Sequence, residues 1–134
     1  MKDIHKNLIE VMSQDAPEAL GPYSQAIIFQ NLIFCSGQIA IDPLSGNLVS
    51  DNIEEQVEQV LKNLKAVLKA SGADMSTVLK TEIFLTNMND FSIVNNIYAK
   101  FFTTDPKPAR QTVAVSALPK NAKIEISCIA AKIS

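Results

Sequence analysis

The chain is poor in the residues on which most catalytic chemistry depends. Its one histidine, His5, lies beside the N-terminus. A paired-histidine zinc motif is thereby excluded, and a Ser-His-Asp triad would have to draw its base from a terminal segment. Four glycines, Gly21, Gly37, Gly46 and Gly72, never approach the spacing of a dinucleotide or triphosphate loop. Two cysteines, Cys35 and Cys128, lie far apart and outside any CxxC pattern. They suit a reduced compartment, where a buried thiol behaves as a small hydrophobe. No apolar run approaches the roughly 18 residues of a membrane span, and none of signal-peptide length follows the first lysines. The cytoplasm is the expected location. Charge of one sign is lacking too: 12 basic against 14 acidic groups leave a net −2, with no footprint for a nucleic-acid backbone. An enzyme made from this chain is expected to work without a catalytic histidine and without a metal.

What remains is 134 residues, 47% of them hydrophobic, enough for one core. Residues 1–134 carry no repeat and no linker-like run, and read as one domain. Ile53, Val57, Val60, Leu61, Leu64, Val67 and Leu68 recur at helical spacing, with Glu54, Glu58, Lys62 and Lys65 elsewhere on the wheel. Asp51 followed by Glu54 has the form of a capping box for this helix, and Gly72 suits its left-handed close. A second helix is expected after Asn89 as its cap, with Phe91, Val94, Tyr98 and Phe101 as its apolar stripe before Pro106 and Pro108. Strands are expected over residues 25–29, 32–37, 78–86, 111–115 and 124–133, with another near 9–12. The order predicts an α+β fold with a mixed sheet and two helices on one face. In the last strand Ile124, Ile126, Cys128 and Ala130 alternate with a set that includes Ile129, Ala131 and Ile133, so apolar side chains emerge on both faces. Two helices cover one face, and a second copy of the chain is the expected cover for the other.

Among 11 lysines, Arg110 is the single arginine, placed where a proline-stiffened loop meets an apolar strand. A guanidinium there offers a planar two-pronged donor to a carboxylate, which lysine does not imitate. The competing reading is a structural ion pair with Glu125 or Glu82, and side-chain physics leaves the two level. Glu125, if half-buried, is able to orient a water as general base; as an ordinary strand-end glutamate it faces solvent. Tyr23 follows a turn and either meets a neighbouring subunit or is half-buried packing. Ser36 and Gly37 end a strand where a ligand can approach the backbone, or where a plain bulge lies. Asn95 either bonds a ligand or is solvated.

Taken together, Gly21-Pro22-Tyr23-Ser24-Gln25-Ala26, Ser36-Gly37-Gln38, Asn63 to Leu68 with Gly72, Lys80-Thr81, Asn89-Asp90-Phe91, Val94-Asn95, Pro108-Ala109-Arg110, Leu118-Pro119-Lys120 and Ile124-Glu125-Ile126 resemble the RidA family over essentially the whole chain. The resemblance implies a chorismate-mutase-like two-layer sandwich with a mainly antiparallel sheet, assembled as a homotrimer with clefts between subunits. It also implies hydrolysis of 2-iminobutanoate and 2-iminopropanoate, formed from 2-aminocrotonate and 2-aminoacrylate, to 2-oxo acids and ammonia without a cofactor. Such hydrolysis protects pyridoxal-phosphate enzymes from reactive intermediates. By the same resemblance Arg110 binds the substrate carboxylate, Glu125 positions water, and Tyr23, Ser36, Gly37, Asn95 and Thr112 line the site. Two departures stand out: Thr112 replaces a common family cysteine, which excludes thiol-based regulation there, and Ser127 replaces a common second glutamate. The alternative of another class is a non-catalytic trimer that binds or senses 2-oxo acids or related small carboxylates. A ribonuclease fits poorly with the acidic balance and the absent histidine pair.

Overall fold

A computed structural model describes residues 3–133. Six strands form one sheet: β1 (Leu8–Val11), β2 (Ala26–Phe29), β3 (Leu32–Gln38), β4 (Val78–Leu85), β5 (Ala109–Ala114) and β6 (Ile124–Ala131). Their order is β1-β2-β3-β6-β4-β5, antiparallel throughout except for the parallel β4–β5 pair. Helices α1 (Ile53–Ala70) and α2 (Phe91–Phe101) connect β3 to β4 and β4 to β5. Both crossovers step in the same direction across the sheet, so the right-handed rule puts both helices on the same face. There they pack on each other, and α1 lies on β3 and β6.

The expected α+β architecture with both helices on one face is what the chain forms. Helix α1 is the amphipathic element that its spacing predicts, with Val57, Val60, Leu61, Leu64, Val67 and Leu68 all fully buried. They meet Ile33, Ile83, Leu85, Ile124 and Ile126 from the sheet, each such side chain contributing about 1.5–3 kcal/mol of burial. Cys35 and Cys128 are buried free thiols, directly opposed across β3 and β6. The neighbouring thiol and burial together push the Cys128 pKa up, which keeps it the inert core residue its surroundings suggest.

The ends of the helices differ from expectation. Asn52, not Asp51, caps α1, its side chain accepting from the Glu55 amide at 3.0 Å. Asn89 does not cap α2; it sits inside a one-turn 3-10 segment (Met88–Asp90) that Asn87 caps, and Asp90 takes the cap position without a side-chain bond. Gly72 does adopt a left-handed backbone, φ 81°, just past the Ser71 C-cap of α1.

Buried amides tie the loops that frame the sheet's end. Gln25 donates to the carbonyls of Ser13 and Pro17 and accepts from the Ser13 amide, pinning the segment between β1 and β2. Asn63, 1% exposed, donates to the carbonyls of Ile39 and Ile41 and so holds the exit of β3 against α1. The face away from the helices carries Leu32 and Phe34, 39% and 44% exposed, among part-buried Ile27, Phe29, Phe84 and Ile129.

Candidate functional site

Arg110 stands on β5, the edge strand, in register with Thr81 of β4. Thr81 is fully buried towards the helices, so strand alternation aims Arg110 at α2 as well. Its Nη1 donates to the Asn95 side-chain oxygen at 2.7 Å. Its guanidinium carbon lies 5.0 Å from the centre of the Tyr98 ring and 5.6 Å from that of Phe91. Phe91, Asn95 and Tyr98 fall at i, i+4 and i+7 and so share one stripe of α2. The Tyr98 hydroxyl in turn shares a buried 2.8 Å hydrogen bond with Thr81. Burial lifts the Tyr98 pKa, with the Thr81 bond and the Arg110 charge pulling the other way, so the phenol stays protonated.

No carboxylate reaches Arg110 among the described residues, whose ion pairs are Lys80–Glu82 and Lys107–Asp105. The ion pair with Glu125 or Glu82 is therefore corrected: both acids lie on the opposite side of the sheet. The guanidinium keeps in-plane donors free for a carboxylate from elsewhere. Thr112, on the same strand face two residues on, buries its hydroxyl with no hydrogen-bond partner.

Glu125 is opposite Phe84, on the face without helices. Between Cys35 and Gln38, β3 holds one residue more than β6 holds between Cys128 and Ile126, and this bulge carries Ser36 and Gly37. The Ser36 hydroxyl donates to the Ser24 carbonyl at 2.6 Å, tying the bulge to the segment before β2. A Cβ on Gly37 would stand 2.6 Å from the Glu125 carboxyl carbon, so the acid rests directly on glycine backbone. The Tyr23 hydroxyl accepts from the Leu20 amide at 3.2 Å, with the ring half-exposed. Tyr23, Gly37, Ile39, Pro119 and Glu125 line a cavity of about 240 Å³. Burial there raises the Glu125 pKa above the ordinary carboxylate value, as suits a proton acceptor working near neutral pH.

The residues singled out from the sequence thus fall into two groups. Arg110, Asn95 and Thr112 gather between β5 and α2, and Tyr23, Ser36, Gly37 and Glu125 gather at the bulged end of β3 and β6. Within one chain the sheet separates them. Phe91 and Tyr98 were missed as residues around Arg110 because they read as the apolar stripe of a helix, and Thr81 was named only within a motif; the available signal was an asparagine set between two aromatics on one helical stripe.

Residues 13–132 match the family model described as Endoribonuclease L-PSP. The chain is 58% identical over 120 residues to Reactive Intermediate Deaminase A, chloroplastic, of Arabidopsis thaliana, covering 90% of this chain and 64% of that longer relative. It is 46% identical over 120 residues to the human 2-iminobutanoate/2-iminopropanoate deaminase, covering 90% and 87%. A crystal structure of a protein of the conserved Rid family from Yersinia pestis superposes with a TM-score of 0.90 at 50% identity, covering 92% and 98%. With the fold and the matches over nine-tenths of its length in agreement, this chain belongs to the Endoribonuclease L-PSP family, the RidA group that its motifs resemble.

Proposed function

We propose that the protein is a 2-iminobutanoate/2-iminopropanoate deaminase whose site is assembled from two chains of a homotrimer. The observation that carries this reading is the division of the site: a guanidinium with free donors lies on one side of the sheet, and a half-buried carboxylate on a glycine bulge lies on the other. Neither half does the chemistry alone. The half-exposed Leu32 and Phe34 on the face that bears Glu125 favour a second copy against it. The names of the relatives supply the substrate class.

In the assembled cleft Arg110 binds the imino acid carboxylate edge-on and fixes the C=N carbon against a water held by Glu125. Glu125 accepts a proton as the water oxygen bonds to the iminium carbon, giving a carbinolamine. It returns that proton to nitrogen and takes the hydroxyl proton as the C–N bond breaks, so ammonia leaves as the carbonyl forms and the proton on Glu125 passes to solvent. An iminium carbon is already electrophilic, so placement and one proton relay suffice, with no metal and no cofactor in any step. Tyr23, Ser36 and Gly37 form the wall on the Glu125 side, and Asn95 and Thr112 the wall on the Arg110 side. The reduced thiols favour a cytoplasmic protein that intercepts imines released by pyridoxal-phosphate dehydratases. The acidic balance and the lone arginine favour a small carboxylate over RNA.

The test is release of 2-oxobutanoate from 2-aminocrotonate generated by a threonine dehydratase. Wild type accelerates release over the spontaneous rate, and Arg110→Ala and Glu125→Ala do not. Co-expressing the two inactive variants restores about one quarter of wild-type activity, the share of clefts left intact in randomly mixed rings. No acceleration by wild-type trimer refutes the deaminase and moves the assignment to a 2-oxo acid binder. No rescue on mixing refutes the two-chain site.

A further inference from the structure

A second, larger hollow opens beside the Glu125 cavity, and the deaminase reading makes no use of it. It is a cleft of about 920 Å³ between the segment that joins β1 to β2 and the one that leaves β3. Pro17, Glu18, Leu20, Gln25 and Ile41 belong to both hollows, so the two share a wall. That wall is firm, because Gln25 holds the carbonyls of Ser13 and Pro17. The cleft is acidic: Glu10, Glu18 and Asp42 line it, and no lysine, arginine or histidine does. Glu10 already accepts from the Ser24 hydroxyl and Asp42 from the Leu44 amide, whereas no hydrogen bond or ion pair reaches Glu18 among the described residues. Leu20, on the same wall, is 62% exposed.

A surface of opposite charge lies on the same chain. The 102–108 loop that leads into β5 carries Pro106, Lys107 and Pro108, and its Pro106 and Lys107 are exposed. Lys107 is held only within that loop, by the Thr104 carbonyl and by Asp105 at 3.1 Å, an exposed pair that solvent screens and that exchanges readily. Its Cα lies at most about 11 Å from that of Arg110, three residues on. When Arg110 of one copy faces Glu125 of the next, as the two-chain site requires, Lys107 is carried with it to the wall beside Glu125, where Glu18 is the acid without a partner. We propose that the 102–108 loop of one copy docks on this wall of the next, with Lys107 paired to Glu18 and the prolines against Leu20, and that the contact positions Arg110 opposite Glu125. The proposal rests on the two-chain reading of the site. Pro106 and Pro108 fix φ on both sides of Lys107, so the loop has little chain freedom to lose on docking and passes its position on to Arg110. An exposed pair at such a rim sets the register of the two chains more than the strength of their association.

Glu18→Lys, Lys107→Glu and the doubly reversed variant decide this, read by sedimentation over a dilution series and by 2-oxobutanoate release on the same preparations. Both residues are exposed, so neither reversal disturbs the core. Each single reversal should weaken assembly by about tenfold at low salt, and the double reversal should return it to within about twofold of wild type. The losses should shrink at high salt, because the pair is exposed. At concentrations that keep the single variants assembled, kcat/KM should still fall about threefold, because Arg110 is then misplaced, and Lys107→Arg should keep the wild-type value. Unchanged assembly in both single variants overturns the docking, as do losses that add in the double variant instead of cancelling. Full activity of the assembled single variants overturns the positioning of Arg110. If wild type hydrolyses no imine, or if mixing the Arg110→Ala and Glu125→Ala chains restores nothing, the deaminase or its two-chain site fails by that result, and sedimentation of the charge reversals still decides the contact.

Discussion

Replacing Gly37 by alanine isolates the placement of Glu125 from every other feature of the site. The added Cβ stands 2.6 Å from the carboxyl carbon of Glu125 and 2.8 Å from its Cγ and Oε2. Carbon atoms pack at about 3.5–4.0 Å, so the carboxyl group must retreat by about 1 Å. Gly37 is not among the residues with a left-handed backbone, so alanine fits its φ. The atoms in conflict are the far end of a flexible, part-buried side chain that is free to swing. Strain and the loss of unfolded-state freedom then nearly cancel, leaving the stability change within about 1 kcal/mol. Catalysis does not share this tolerance: a base displaced by about 1 Å loses roughly 100-fold in kcat. Affinity for 2-oxobutanoate, which the proposed mechanism assigns to Arg110 in the other residue group, is expected to fall far less. The measurement is 2-oxobutanoate release and calorimetric 2-oxobutanoate binding for Gly37→Ala, Glu125→Ala and the double variant. Adding Gly37→Ala to Glu125→Ala should cost nothing more, since the group it displaces is gone. A Gly37→Ala protein with kcat within threefold of wild type would refute the claim that Glu125 works from its rest on the bulge.

Two further predictions concern charge and capping. Because the folded-state pKa of Glu125 is raised by burial, the folded chain holds that proton more tightly than the unfolded chain, and stability from this group is lost as pH rises through the folded pKa. Glu125→Gln should therefore melt above wild type at pH 7, with the gap closing towards pH 4, while wild-type kcat rises with pH through a midpoint above the ordinary glutamate value of about 4.3. A Glu125→Gln protein that melts below wild type at pH 7 would show a stabilising partner for the carboxylate instead. Asn52→Ala should cost about 1 kcal/mol in denaturant unfolding, and Asp51→Ala a few tenths at most, because only Asn52 accepts from the helix.

Much of the fold was legible because its signals are local. The stripe from Ile53 to Leu68 and the alternation of β6 each speak within a window of a few residues. The cap of α1 was misread by one position because Asp51 and Asn52 are both good caps, and only the backbone path selects between them. The ion pair offered to Arg110 failed for a different reason. Whether two side chains share a face depends on strand order and register, and nothing near Arg110 in the chain states that β4 lies between β5 and β6.

By itself, the sequence determined the chemistry this protein has to work with: no paired histidine, one guanidinium, a carboxylate in the apolar last strand, and motifs that resemble a known family. The tertiary structure alone decided how those groups stand. The bulge in β3 sets Gly37 under Glu125, the crossover through α2 brings Phe91, Asn95 and Tyr98 to Arg110, and the sheet holds the two residue groups apart. The physical reason is that residue type is a property of one position, whereas a site is a set of distances between positions far apart in the chain. Those distances exist only after strand order, register and helix placement have been chosen together by burial of the core.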